Sequence, residues 1–199
     1  IIETWQLGTQ SGNAIAQVLY GDYNPSGKLT MSFPKNVGQI PIYYNRKTTG
    51  RPVNKEGNVF WSHYSDLDNE PLYEFGYGLS YTSFSYKDLQ LSANYFTEET
   101  SLKVSFTLTN TGEYEGKEVV QMYTQDLVGS IIRPVKELKG FEMVTLMPGE
   151  SKQVSFTIDK ETIEYYTANN KWEAEPGDFK VFIGGSSKAD LSANFTFKK

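Results

Sequence analysis

From about residue 84 onward the chain alternates apolar and polar residues in short runs, with turn residues between them. Val104, Phe106 and Leu108 alternate with Ser105, Thr107 and Thr109, and Asn110-Thr111-Gly112 closes that run. Val119, Gln121 and Tyr123 share one strand face, opposite Val120 and Met122. Leu138 to Leu146 reads as a further strand. Val154, Phe156 and Ile158 alternate with Ser155 and Thr157. Phe179, Val181 and Ile183 alternate with Lys180 and Phe182, and Phe195 and Phe197 flank Thr196. Successive strand side chains point to opposite faces, so alternation marks half-buried strands. Pro148-Gly149 fits the two central positions of a type II turn, where Gly supplies the positive φ, and Glu175-Pro176-Gly177 makes another turn. Six or seven short strands over about 115 residues predict an antiparallel β-sandwich. The sequence contains no Cys. A fibronectin type III-like sandwich therefore fits better than a disulfide-linked immunoglobulin domain.

The first part of the chain follows a different pattern. Ile1 to Trp5 can end a strand, and Gln6 to Gly12 is a polar, glycine-containing loop. Ser11 is placed to cap a helix, since its hydroxyl can accept from a free N–H of the first turn. Ala14, Ile15, Val18 and Leu19 recur at helical spacing, and Gly21 ends the helix. Asn24-Pro25-Ser26-Gly27 is turn chemistry. Leu29, Met31 and Phe33 then alternate with Lys28, Thr30 and Ser32 as a half-buried strand, which Pro34 stops. So short a strand–helix–strand unit cannot bury its apolar faces alone. It reads as the last unit of an α/β sheet domain whose earlier strands are absent, with a sticky, unpaired edge. Residues 34 to about 70 carry Arg46-Lys47, Gly50-Arg51-Pro52 and Glu56-Gly57-Asn58 with little periodicity. They read as a long ordered excursion anchored by Phe60, Trp61, Tyr64 and Leu67, and such loops are usually functional or linkers. The expected division is residues 1–84 for this part and 85–199 for the sandwich.

Composition narrows the chemistry. Net charge is −5, so no basic stripe exists for nucleic acid. Without Cys there is no thiolate nucleophile, disulfide framework or Cys-ligated metal. The single histidine, His63, excludes multi-His metal sites, and a Ser-His-Asp triad would need this one imidazole. No Gly-x-Ser-x-Gly elbow accompanies it, so His63 reads as a surface or packing residue. No run of 18 apolar residues and no basic-then-apolar leader occurs. The chain starts at Ile1 without Met and reads as a piece of a longer protein.

Several stretches together carry a family resemblance. Pro71-Leu72-Tyr73-Glu74-Phe75-Gly76-Tyr77-Gly78-Leu79-Ser80-Tyr81-Thr82 combines aromatics and glycines ahead of the strand pattern. Gly21 to Leu29, Phe33-Pro34 and Gly38-Gln39-Ile40-Pro41 precede it. Asn110-Thr111-Gly112, Gly116-Lys117-Glu118-Val119-Val120-Gln121, Arg133-Pro134, Glu137 to Phe141, Met147-Pro148-Gly149-Glu150-Ser151 and Gly184-Gly185-Ser186-Ser187 follow it. In order and spacing these resemble the C-terminal part of family 3 glycoside hydrolases of the β-glucosidase/β-xylosidase type. The resemblance implies the end of an α/β sandwich domain, a connector and a complete fibronectin type III-like domain. It also implies a parent that hydrolyses terminal β-linked sugars from oligosaccharides or glycosides, with retention and without a cofactor. That parent would be secreted or periplasmic. In the family the nucleophile is an Asp on an N-terminal barrel and the acid/base is commonly a Glu in the second domain. Both lie upstream of the matched segment, so the resemblance implies no catalytic, cofactor or metal residue in this chain. Its partners would be its own catalytic domains and, through them, the sugar. A carbohydrate-binding module or a plain spacer remains the alternative.

The residues offer local candidates as well. The Gln6–Gly12 loop could line a sugar site at the sheet's C-terminal end, or be a plain turn. Asp66, Asp68 and Glu70 invite a glycosidase or calcium reading, but no Gly or terminal Glu follows at the required offset, and a solvated turn fits as well. Tyr43, Tyr44 and Trp61 could form a stacking platform for a sugar ring, or anchor domain packing. Asn194-Phe195-Thr196 matches a glycosylation sequon inside a predicted strand.

Overall fold

The structure is a computed structural model that describes residues 1–51 and 60–199. Pro52 and Glu56-Gly57-Asn58 of the excursion lie outside the described residues. The regular elements run α1 (Ser11–Tyr20), a short 3-10 turn (Val37–Gln39), β1 (Phe84–Leu91), β2 (Tyr95–Phe96), β3 (Leu102–Asn110), β4 (Gly116–Asp126), β5 (Glu137–Leu146) and β6 (Ser151–Ile158). They continue with α2 (Lys160–Ile163), β7 (Tyr165–Tyr166), β8 (Trp172–Glu173), β9 (Gly177–Gly184) and β10 (Leu191–Phe197).

The alternating runs are the strands of a β-sandwich. One sheet orders β1-β3-β6 and the other β2-β10-β9-β4-β5, with β7-β8 as a separate hairpin. Leu102, Val104, Phe106 and Leu108 of β3 are fully buried. Antiparallel pairing sets Leu102 opposite Ile158 and Phe106 opposite Val154. Val120, Met122, Val181 and Ile183 come from the facing sheet. Phe96 closes one end against Phe197, ring centres 5.0 Å apart. The expected turn is present: Gly149 has φ +75°, and the Glu150 N–H donates to the Met147 carbonyl at 3.0 Å.

The first part behaves otherwise. Every fully buried hydrophobic side chain among the described residues lies at Phe96 or beyond. Each such side chain is worth roughly 1.5–3 kcal/mol of burial, so the first part takes its stability from what it leans on. Helix α1 ends at Gly21 in the left-handed conformation, as its sequence predicts. Its start differs. Gln10 is the N-cap and no side chain caps it. The Ser11 N–H donates to the Gly8 carbonyl at 3.1 Å, so the preceding loop's backbone supplies the cap expected of Ser11. The Lys28–Phe33 run is not a regular strand either. It makes one bridge, Phe33 to Tyr73, and bonds from the Leu29 N–H to Tyr77 and from the Gly76 N–H to Leu29. Alternation alone cannot make a ladder; among the described residues the backbone bonds of this run go to the irregular 72–77 segment. Residues 1–5 form no strand, and Trp5 has φ +48°.

Candidate functional site

The outer face of the five-stranded sheet is where the two parts meet. β4 lies between β9 and β5, and Gln121 and Tyr123 are buried on it at 3% and 0% exposure. The closing segment 71–82 lies over them. Gly76 comes so close, at φ +81°, that a Cβ there would overlap the Gln121 carboxamide. Gln121 Nε2 donates to the Gly185 carbonyl at 2.6 Å and to the Gly76 carbonyl at 3.4 Å, and the Tyr123 hydroxyl donates to its Oε1. One buried amide thus joins three segments. Burial pushes the Tyr123 hydroxyl well above the usual tyrosine range.

Aromatic and charged contacts surround this amide. Tyr44 stacks on Phe75 at 4.3 Å and meets the Tyr123 ring edge-on at 5.9 Å. The Leu138 N–H donates to the Tyr44 hydroxyl. The Ser187 N–H donates to the Phe75 carbonyl at 2.9 Å, and Ser186 Oγ donates to Glu74 at 2.9 Å. Lys28 pairs with Glu118 at 3.1 Å, and both side chains are largely buried. The Tyr86 hydroxyl donates to the same carboxylate at 2.7 Å, and burial followed by the Glu118 charge raises its pKa strongly. Lys136 donates to the Ser187 and Ala189 carbonyls and lies 4.0 Å from the Phe182 ring centre. Burial lowers its pKa to about 8. At the far end, Asn24 Nδ2 donates to the Glu115 carbonyl, and its Oδ1 accepts from Ser80 Oγ and the Tyr81 N–H. Thr82 Oγ1 donates to Asn110, which is wholly buried.

Six of the resembling stretches therefore converge here: Gly21–Leu29, Phe75–Thr82, Asn110–Gly112, Gly116–Gln121, Glu137–Phe141 and Gly184–Ser187. The local candidates fare differently. Asp68 accepts from Lys35 at 2.7 Å through both oxygens and from the Glu70 N–H at 2.9 Å. Hydrogen bonding from Lys35 and then from Glu70 holds its carboxyl below the usual range. Among the described residues no cluster of three or more acidic or imidazole groups could hold a metal. Tyr44 is turned into the junction, whereas Tyr43 is 64% exposed and Trp61 packs on His63 at 3.9 Å. The three rings do not make one platform. His63 Nδ1 lies 2.9 Å from the Trp61 carbonyl. The Gln6–Gly12 loop is exposed or half-exposed throughout. Asn194 is exposed on β10, opposite Lys180 in register. Sequence reasoning missed Glu118, Gln121, Lys136 and Tyr86 as a polar cluster. A signal was available. Val119 to Tyr123 is a nearly continuous apolar run interrupted by one amide, the mark of a strand covered on both faces.

Comparison with known proteins points to one family. Residues 1–81 match the glycosyl hydrolase family 3 C-terminal domain, and residues 118–187 match the fibronectin type III-like domain. A periplasmic beta-glucosidase of Salmonella typhimurium is 55% identical over 98% of this chain. A putative beta-xylosidase of Formosa agariphila is 42% identical over the whole of it. The crystal structure of a Listeria innocua beta-glucosidase in complex with isofagomine superposes with a TM-score of 0.90 at 45% identity over 96% of the chain. The chain spans 26%, 25% and 27% of these proteins respectively. With both domain models matched in order and these relatives along nearly its whole length, the chain belongs to glycosyl hydrolase family 3, in the part that comprises the family's C-terminal domain and a fibronectin type III-like domain.

Proposed function

We propose that this chain is the non-catalytic C-terminal portion of an exported, retaining O-glycosyl hydrolase. The whole protein removes terminal β-linked sugars from oligosaccharides or glycosides. This portion divides at about residue 84 and braces the catalytic domains. One observation carries the reading: the buried junction around Gln121 welds the closing segment of the first part to the sandwich. The chemistry fits the same division. Retaining hydrolysis needs two carboxyl groups about 5–5.5 Å apart across the glycosidic bond. The carboxylates most engaged in this chain are spent otherwise: Glu118 on Lys28, Asp126 and Glu137 on Arg133, and Asp68 on Lys35. The nucleophile and the acid/base then belong upstream. Export follows the Salmonella relative, whose name places that protein in the periplasm. No described helix is long and apolar enough to cross a membrane.

The test is hydrolysis of a chromogenic β-glucoside by this chain and by the longer protein that carries it. The chain alone gives no turnover and a β-rich circular dichroism spectrum, while the longer protein hydrolyses the glucoside. Turnover by the chain alone would overturn the assignment and direct attention to Asp66, Asp68 and Glu70.

A further inference from the structure

The Arg133-Pro134 motif lies in the β4–β5 loop, at the other end of β4 from the β3–β4 turn. Arg133 anchors this loop. Its guanidinium pairs with Asp126 at 3.4 Å and with Glu137 at 3.0 Å, and it lies 3.9 Å over the Tyr165 ring, which leaves its side chain almost wholly buried. The Ser130 N–H donates to Glu175 at 2.8 Å, and Ser130 Oγ lies 2.9 Å from the Tyr165 hydroxyl. The Leu127 N–H donates to the Asp178 carbonyl at 3.1 Å. Space inside the loop is tight: a Cβ at Gly129 would stand 2.9 Å from the Arg133 side chain. A polar frame thus holds the loop in one shape. What the frame presents is apolar. Leu127 to Ile132 carries no charge, and Asp126 and Arg133, which flank it, pair with one another at its base. Leu127, Val128, Ile131 and Ile132 are exposed, Val128 at 83% and Ile132 at 61%. Aliphatic side chains turned outward on a pinned loop are pre-organised to enter an apolar recess, since little freedom is left to lose on docking.

We propose that the tip of this loop docks into an apolar recess on the part of the longer protein that lies outside this chain, within the same polypeptide. The inference rests on the bracing role proposed above and deepens it by naming a surface that performs it. Continuity favours this occupant. Beside the tip the loop already leans on the first part: Pro134 bridges to Lys47, the Val135 N–H donates to the Arg46 carbonyl at 2.9 Å, and the Leu138 N–H donates to the Tyr44 hydroxyl. Those three partners fall in the stretch that matches the family 3 C-terminal domain, so the tip extends a contact with that domain. Length allows it as well. The chain spans 26% and 27% of its Salmonella and Listeria relatives, which leaves most of such a polypeptide to supply the recess. Chemistry narrows the choice further. A tip without charge offers nothing to an anion, and one without an aromatic ring offers no stacking face to a sugar. The exposure of Val128 and Ile132 then belongs to this chain alone and disappears in the longer protein.

The experiment is thiol labelling of the longer protein. This chain has no Cys, so one introduced thiol reports one place in it. Val128→Cys and Ile132→Cys are compared with Gln153→Cys, an exposed position on β6 of the other sheet. Reaction with a maleimide is read by peptide mass mapping, which separates these thiols from any elsewhere in the longer protein. In the folded protein both tip thiols should react about tenfold or more slowly than the β6 thiol, and in urea all three should react alike. Ile132→Asp should shorten the half-life of activity at a fixed denaturing temperature by about threefold or more, and Gln153→Asp should leave it unchanged. Tip thiols as reactive as the β6 thiol would overturn the proposal. So would an Ile132→Asp variant that lasts as long as the unaltered protein. Protection that vanishes on dilution would also overturn it, because the cover would then be a second copy. Deletion of residues 85–199 separates this failure from that of the bracing role. Open tip thiols in a protein that still needs those residues for its melting temperature sink the docking alone, and unchanged melting on deletion sinks the bracing role itself.

Discussion

Two glycines with the same backbone sign carry very different burdens. Gly76 and Gly149 have φ +81° and +75°, but a side chain at Gly149 meets open space whereas one at Gly76 meets Gln121. Gly149→Ala should cost only the left-handed backbone strain, about 1–2 kcal/mol. Gly76→Ala should cost that strain plus overpacking, about 2–5 kcal/mol in total. Urea denaturation of both variants measures the difference, and equal losses would mean that the junction does not contribute to stability. A second residue-level prediction concerns acid. Asp68 is exposed, and its carboxyl is held below the usual carboxylate range chiefly by the hydrogen bond from Lys35. A depressed folded pKa adds stability above the unfolded value near ~3.9, and that stability disappears as pH falls through the folded value. Protection of the Glu70 amide, measured against its intrinsic exchange rate, should therefore fall as pH drops below about 4, and Asp68→Asn should abolish the dependence. At this scale the sequence was half legible. The φ of Gly149 followed from Pro-Gly turn chemistry, which is local. The close approach of Gly76 to Gln121, 45 positions away, is encoded by no local pattern.

Among the elements, the long strands and the small pieces were not equally readable. β3, β4, β6 and β9 show two or more periods of alternation, and each appears where alternation places it. β2 and the β7–β8 hairpin have two residues per strand, too few for a period to exist. The Lys28–Phe33 run had the period but lacked a partner sheet. Its case shows that alternation reports a strand's faces and says nothing of its neighbours. Stability should follow the same division. Phe106→Ala in the centre of β3 removes a wholly buried ring that stacks near Tyr86 and Phe156, and should cost about 3–5 kcal/mol by thermal denaturation. Helix α1 has no buried residue. Its amides should exchange within the dead time of a hydrogen-exchange experiment on this chain, and become protected in the longer protein. Protection already present in the short chain would contradict this picture.

For the whole molecule, the proposed bracing role rests on how the closing segment is joined to the sandwich. Deleting residues 85–199 from the longer protein removes every partner of Gln121's side of the junction. Loss of soluble, active enzyme is expected, and unchanged melting and unchanged kinetics would refute the bracing role. Family and sandwich were legible from ordered motifs along the chain, because their residues are close in sequence. The junction cluster was not, because Lys28 and Glu118, or Phe75 and Ser187, meet only when the sandwich has formed. The strand order also has a consequence during synthesis. β10 is inserted between β2 and β9, although β2 leaves the ribosome early and β10 last among the described strands. The β9–β10 loop supplies the Gly185, Ser186 and Ser187 atoms that grip the closing segment. A nascent chain therefore holds its helix, its aromatic connector and an incomplete sheet in waiting until β10 emerges. A premature stop between β9 and β10 leaves the apolar rings of Phe96 and Phe179 without Phe197 and Phe195 to cover them, open to the chaperones and proteases that survey unfinished proteins.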